Sequence, residues 1–279
     1  LLGGLAVALG LRAGCFNIGV DGQIYLGAIA ATGLALSLES RPIPAVLFVC
    51  LVLLAGVAGG GFFGWLPAVL RARWGVSEIF VTVMLNFVAI YLTEYLSTGP
   101  WNDPMAGEAI TRPIPVGAGL PLLVPAAGTH LGILLAIGIT ILMWVFLERT
   151  ALGFEIGAVG DNARAARIAG VNTRRIVLFT LCASGALAGL AGAIEVAGLH
   201  NRLILGLSPG YGVVAILIAV LGKNSPWGIL VAAFGMAVLL VGSDSLQRSV
   251  GLPASAALVF QAVVVLTVLA LESGDRQSR

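Results

Sequence analysis

The 279 residues are 59% hydrophobic and only 10% charged, with a net charge of +2 and a mean hydropathy of +1.04. Soluble globular domains carry about a quarter charged residues, so a water-soluble globule is excluded. The small, dispersed charge shows no basic run interleaved with aromatics, which excludes a nucleic-acid surface as well.

A helix needs roughly 20 apolar residues to cross the hydrocarbon of a bilayer. The chain therefore reads as one transmembrane domain over 1–279, an all-α polytopic bundle of eight or nine membrane segments. Apolar segments fall at 1–11, 24–38, 43–70, 79–98, 130–147, 176–198, 211–222, 227–242 and 255–271. The opening LLGGLAVALGLRAG reads as the second half of a span, so the chain is expected to be truncated at its N-terminus.

After the first segment comes Phe16-Asn17-Ile18-Gly19-Val20-Asp21-Gly22-Gln23, in which two glycines bracket an acid. One reading is an ordinary cytoplasmic turn. The other is a broken backbone at membrane depth, which survives only where it is buried in protein or lines a cavity. On that reading Asn17, Asp21 and Gln23 belong to a substrate pathway, and Asp21 caps a half-helix.

In the third segment Gly56, Gly60 and Gly64 are spaced four apart, as are Gly185 and Gly189 in the sixth, with Gly192 nearly one turn on. Small-residue stripes let helix backbones approach closely where lipid offers no hydrophobic drive. On 79–98, Thr82, Asn86 and Thr93 fall within about 40° of one another at 100° per residue, and Glu78 adds to that side. Such a stripe should face the bundle interior or a wet cavity. Helix-to-helix hydrogen bonding and solute contact are both open to it.

Between two apolar segments lies a polar island, 148–175, holding five of the 15 Lys and Arg residues. Asp161 is expected to cap a short helix running through Ala169, with Gly170 just past its end. Ala165, Ile168 and Ala169 then share one face flanked by Arg164 and Arg167, a docking shape about 13 Å long at 1.5 Å per residue. A solvated connector whose arginines only set topology is the competing reading. Glu195, about 29 Å along the following segment, is placed at the outer interface as a solvated or capping acid. The short pair within 211–242, interrupted by GKNSPWG, reads either as two tilted spans or as partly re-entrant segments.

The bias of Lys and Arg toward the cytoplasmic side sets the orientation. Arg12, Arg71, Arg73, the 149–175 loop, Lys223 and the tail with Arg276 and Arg279 lie inside. The 39–42 turn and loops 99–129, 199–210 and 243–254 lie outside. Cys15, Cys50 and Cys182 lack metal-ligand spacing and read as small buried hydrophobes. His130 and His200 sit at segment ends, apart from one another. The sequence contains no phosphate-binding loop, zinc signature or nucleophile elbow, so any ATP must be hydrolysed on another subunit. The alternative is an ion-coupled secondary transporter using Asp21, Glu94 or Glu195.

FNIGVDGQ, SEIFVTVMLNFVAIYL with STGPW, RTALGFEIGAVGDNARAARIAGVNTRR and SGALAGLAGAIEVAG resemble, in order, the membrane subunit of bacterial ABC importers. The branch they resemble is that of simple-sugar and nucleoside permeases, related to the ribose and branched-chain amino-acid permeases. The resemblance implies a non-enzymatic subunit of the bacterial cytoplasmic membrane that needs no cofactor of its own. Its implied partners are a cytoplasmic ATPase carrying ATP and Mg, a second permease, paralogous to this one, and an extracytoplasmic binding protein docking on outer loops such as 100–129. Asp161, Arg164, Arg167, Ile168 and Gly170 would form the element that couples to the ATPase. Glu94 departs from the neutral residue expected in the branch. The cargo implied is a nucleoside or simple sugar, with nucleosides preferred.

Overall fold

The computed structural model describes residues 1–250 except 125 and 127, together with 259, 262, 263 and 267. The apolar segment expected at 255–271 and the basic tail lie outside the described residues. Among the described residues the helices are α1 (Leu2–Arg12), α2 (Val20–Ser37), α3 (Ala45–Trp74), α4 (Glu78–Thr98), α5 (Gly132–Arg149), α6 (Ala151–Ile168), α7 (Thr173–Ile194), α8 (Tyr211–Leu221) and α9 (Pro226–Val250). Five are long and apolar enough to cross a membrane, namely α3, α4, α5, α9 and α7 with its π-helical extension Glu195–His200. α1 and α8 have 11 residues each.

Two boundaries differ from expectation. α2 begins at Val20 rather than 24, because Asp21 and Gln23 find partners inside the protein and enter the helix. α9 runs on to Val250, so much of the supposed outer loop 243–254 is helical. Its polar stretch contains no helix breaker before Gly251 and Pro253.

The centre of the bundle is the crossing of α3 with α7, packed on α2. A methyl group on Gly60 would overlap the Gly185 carbonyl oxygen, and one on Gly189 would overlap the Gly56 carbonyl oxygen. Glycine at both stripes therefore puts the two backbones in direct contact, the packing mode available where lipid is as apolar as leucine. Cys50 departs from the buried expectation and is exposed on α3. The outward surface of a spanning helix meets lipid, so an apolar thiol there carries no penalty.

The segments predicted to lie inside gather on one face. Arg12 pairs with Glu148 at 2.8 Å, Arg71 donates to the Gly14 carbonyl at 3.0 Å, and Gly160 packs directly on Arg12. On the opposite face the loop after α4 is tied to the loop after α7. Thr111 N–H donates to the Leu203 carbonyl at 3.0 Å, and Ile114 N–H to that of Asn201 at 2.8 Å. A short antiparallel hairpin, β1 (Leu122–Val124) with β2 (Thr129–His130), completes this outer surface.

Candidate functional site

Two of the helices begin inside the bundle. α1 ends at Arg12 on the inner face, where Gly14 adopts φ +67° and turns the chain back. Residues 15–19 then run up beside α1, and Val20 at the start of α2 meets Gly3. Gly3 lies nine residues before Arg12, about 13 Å at 1.5 Å per residue. The loop after α7 likewise descends from the outer face through Gly206 and Gly210, both at positive φ, and α8 starts at Tyr211. Asn86, eight residues into α4, and Ser184, eleven into α7, reach about 12 and 16 Å by the same rise. Three separate helix counts thus agree on a level close to the middle of a core about 30 Å thick.

Polar residues collect at that level and satisfy one another. Asn17, fully buried, donates through Nδ2 to Gln23 Oε1 at 2.9 Å and to Ser184 Oγ at 2.8 Å, while its Oδ1 accepts from Gly19 N–H at 3.0 Å. Ser184 Oγ donates in turn to the Ala6 carbonyl at 2.6 Å. Asn86 Oδ1 accepts from Gly22 N–H at 2.8 Å, and its Nδ2 donates to the Ile18 carbonyl at 3.0 Å. Asp21 Oδ1 accepts from Gly212 N–H at 2.8 Å and from Ser208 Oγ at 2.5 Å. A carboxylate in the first turn of α2 therefore caps α8, where helix N-termini favour negative charge. Tyr25 Oη accepts from Ser208 N–H at 3.4 Å.

The structure thus brings together Asn17, Asp21, Gln23 and Asn86 from the sequence-predicted pathway set. Thr82 and Thr93 are buried on the same α4 face, but each hydroxyl donates back to its own helix, to Ile79 and Ala89 respectively. Sequence reasoning missed Ser184, Ser208, Tyr25 and Gly212. The one available signal was the glycine and proline cluster GLSPGYG at 206–212, of which 206–210 was assigned to an outer loop. Glu195 is half-buried near the outer end of α7, with Oε2 3.8 Å from His200 Nε2.

At the inner face, α6 is two helices joined at Asn162, whose φ of −158° and ψ of 96° break the first. Asn162 Oδ1 accepts from Arg164 N–H at 3.1 Å and Ala165 N–H at 3.0 Å. The cap of the short distal arm is therefore Asn162 and not Asp161. Asn162 holds the extended conformation an N-cap requires, with its oxygen over the second and third helical amides. Past the other end Gly170 adopts φ +92°, which an L side chain resists. Ala165, Ile168 and Ala169 are exposed, Ile168 at 83%, and Ala166 alone of the arm is buried against the protein. Arg164 points to solvent, while Arg167 Nη2 reaches Thr173 Oγ1 at 3.4 Å.

This arrangement, a broken-helix core joined to a projecting arm, coincides with a family match over nearly the whole chain. The family described as the permease component of branched-chain amino acid transport systems matches residues 1–269. The chain belongs to this permease family. A glucose ABC transporter permease of Haloferax volcanii is 40% identical to it, over 98% of this chain and 73% of the relative. A guanosine ABC transporter permease of Bacillus subtilis is 33% identical, over 96% and 77%. A galactofuranose transporter permease of Escherichia coli is 31% identical, over 96% and 75%. No solved structure matches the permease. Its five long apolar helices and its relatives make it a multi-pass membrane transport subunit.

Proposed function

We propose that the permease is the membrane subunit of an ATP-driven importer for a neutral, hydroxyl-rich solute, a nucleoside or simple sugar. The arm from Asn162 to Ala169 carries this reading. It is a capped helix with an apolar tip and a cationic edge, projecting from the inner face with almost none of its surface used by the chain itself. Exposed apolar residues rimmed by charge favour a protein partner. ATP and Mg would reside on a cytoplasmic ATPase engaging Arg164, Ile168 and the Asp161–Asn162 bend. A second permease, of paralogous sequence, and an extracytoplasmic binding protein docking on outer loops such as 100–129 complete the assembly. The relatives that transport glucose, guanosine and galactofuranose support the cargo class.

Asn17, Asp21, Gln23, Thr82, Asn86 and Thr93 would serve the pathway chiefly by shaping it, since their hydrogen bonds are spent within the protein. The two half-helix starts that Asn17, Asp21, Gln23 and Asn86 hold would separate or close as ATP drives the change of access. The test is uptake of guanosine and of glucose by proteoliposomes holding the whole complex, beside mass spectrometry of the ligand carried by the co-purified binding protein. Reversing Arg164 and Arg167 to Glu should abolish uptake and ATPase stimulation while the permease stays in the membrane. Undiminished uptake would sink the coupling assignment, and an amino acid on the binding protein would refute the cargo class.

A further inference from the structure

Glu78 is a buried acid in the first turn of α4, its side chain 9% exposed, at the level where the chain turns back into the membrane. An acid in that position would satisfy the helix dipole equally well from solvent. Burial therefore calls for a reason, since desolvating an ion pair is unfavourable unless its geometry and hydrogen bonds compensate. Glu78 Oε1 pairs with Arg71 and accepts from Phe16 N–H at 2.9 Å, and Arg71 Nη2 donates to the Gly14 carbonyl at 3.0 Å. The pair thus holds the re-entrant segment at two backbone groups two residues apart.

The other side of that segment is held by α6. A Cβ on Gly160 would overlap the Arg12 carbonyl oxygen and crowd Gly14, and Arg12 is also paired with Glu148 at 2.8 Å. Gly160 stands two residues before the break at Asn162 from which the arm projects. Residues 12–16 are consequently clasped between the root of the arm and the Arg71–Glu78 pair. The next residue, Asn17, is bonded at mid-depth to Ser184 and to Gln23 in the first turn of α2, and Asp21 in that same turn holds the start of α8.

We infer that Arg71 and Glu78 are positioning residues for transport, a strut that makes the re-entrant segment follow the arm and so carries the ATPase stroke to the two half-helix starts. This rests on the importer reading above. Without the strut, the arm would still dock and the ATPase would still respond, but its movement would be lost before mid-depth.

The deciding measurement is solute moved per ATP hydrolysed, by the whole complex with its binding protein in proteoliposomes, with guanosine and glucose as solutes. Glu78→Ala removes both the charge and the acceptor for Phe16. It should lower the ratio about tenfold, within the range by which network mutations change coupling, while binding-protein-stimulated ATPase stays within about twofold of wild type. Glu78→Gln retains an acceptor for Phe16 and should lower the ratio by about threefold. Uptake and ATPase falling in parallel would make Glu78 merely structural and overturn the strut, as would an unchanged ratio. Should Glu78→Ala fail to assemble, Glu78→Gln decides alone, a lowered ratio supporting the strut and an unchanged one overturning it. A wild-type complex without ATP-dependent uptake would overturn the importer reading and the strut with it. Normal wild-type uptake with an unchanged Glu78→Gln ratio overturns the strut alone.

Discussion

Asn86 holds both sides of the break before α2, its Oδ1 accepting from Gly22 N–H at 2.8 Å and its Nδ2 donating to the Ile18 carbonyl at 3.0 Å. A side-chain amide has one acceptor and one donor group, so a single residue replaces the partners these backbone groups would have had in a continuous helix. Away from water, each group left unmatched costs about 1–3 kcal/mol. Asn86→Ala should therefore destabilise the permease by about 2–4 kcal/mol. The check is thermal unfolding in detergent followed by size exclusion, where an unchanged midpoint would refute the clamp.

Asp21 is the cap of a helix to which it does not belong. Asp21→Ala should loosen the start of α8 specifically, because the Gly212 amide and the Ser208 hydroxyl lose their shared acceptor. Hydrogen exchange should quicken at the amides of 211–214 with little change in α3 or α7. Asp21→Asn, which keeps an acceptor and loses the charge, should lie between, with a cost of about 0.3–2 kcal/mol for the helix-terminus charge.

The glycines of the permease are not equivalent. Gly60→Ala should prevent α3 from seating on α7, and the variant should fail to accumulate in the membrane. Gly138→Ala, in α5 with nothing within 4 Å of the added carbon, should accumulate normally. It should even gain up to about 1 kcal/mol of helix propensity. Membrane yield and thermal midpoint distinguish the two.

Removing the side-chain oxygen of Asn162 unties the first turn of the arm, at a cost of about 1 kcal/mol for a lost N-cap. Asn162→Ala should reduce stimulation of the partner ATPase several-fold, while Asn162→Asp, an equally good cap, should remain close to wild type. Equal losses in both variants would point to direct contact by the amide instead of capping.

His130 Nδ1 accepts from Gly132 N–H at 3.1 Å on the outer surface, and burial lowers its pKa below the ordinary histidine value. The folded protein takes up that proton at lower pH than the unfolded chain does, so this contribution is complete above about pH 6.5 and is lost as pH falls through the folded value. The thermal midpoint should drop between pH 7.5 and 5. His130→Gln should flatten that part of the profile.

Much of this architecture is legible in the amino-acid order. Hydropathy placed the cores of α3, α4, α5 and α7, and the distribution of arginines placed Arg12, Arg71 and the 149–175 loop on one face, as the Arg12–Glu148 and Arg71–Gly14 contacts show. The glycine stripes at 56–64 and 185–189 found each other because close backbone approach demands glycine on both helices, while Gly192 meets the α2 backbone at Ile24. What stayed hidden depends on depth. Ser208 reads as an outer-loop residue because hydropathy cannot show that a polar, glycine-containing loop folds back into the bundle. Glu78 likewise showed its side of α4 but not its partners, since Arg71 and Phe16 reach it only once the chain has reversed at Gly14. The choice between Asp161 and Asn162 as cap turned on a backbone break one residue later than the pattern suggested.

The junction of α2 with α8 has an electrical consequence. A helix N-terminus carries roughly half a positive elementary charge, and two such termini meet at about the same depth inside the bundle. Together they amount to roughly +1, and Asp21, lying in the first turn of one and capping the other, supplies the matching −1. The middle of the permease is therefore close to electroneutral although three strong fields converge there. On the importer reading, an uncharged solute passing it would meet no well to fall into, and a stray cation or proton would meet no net attraction.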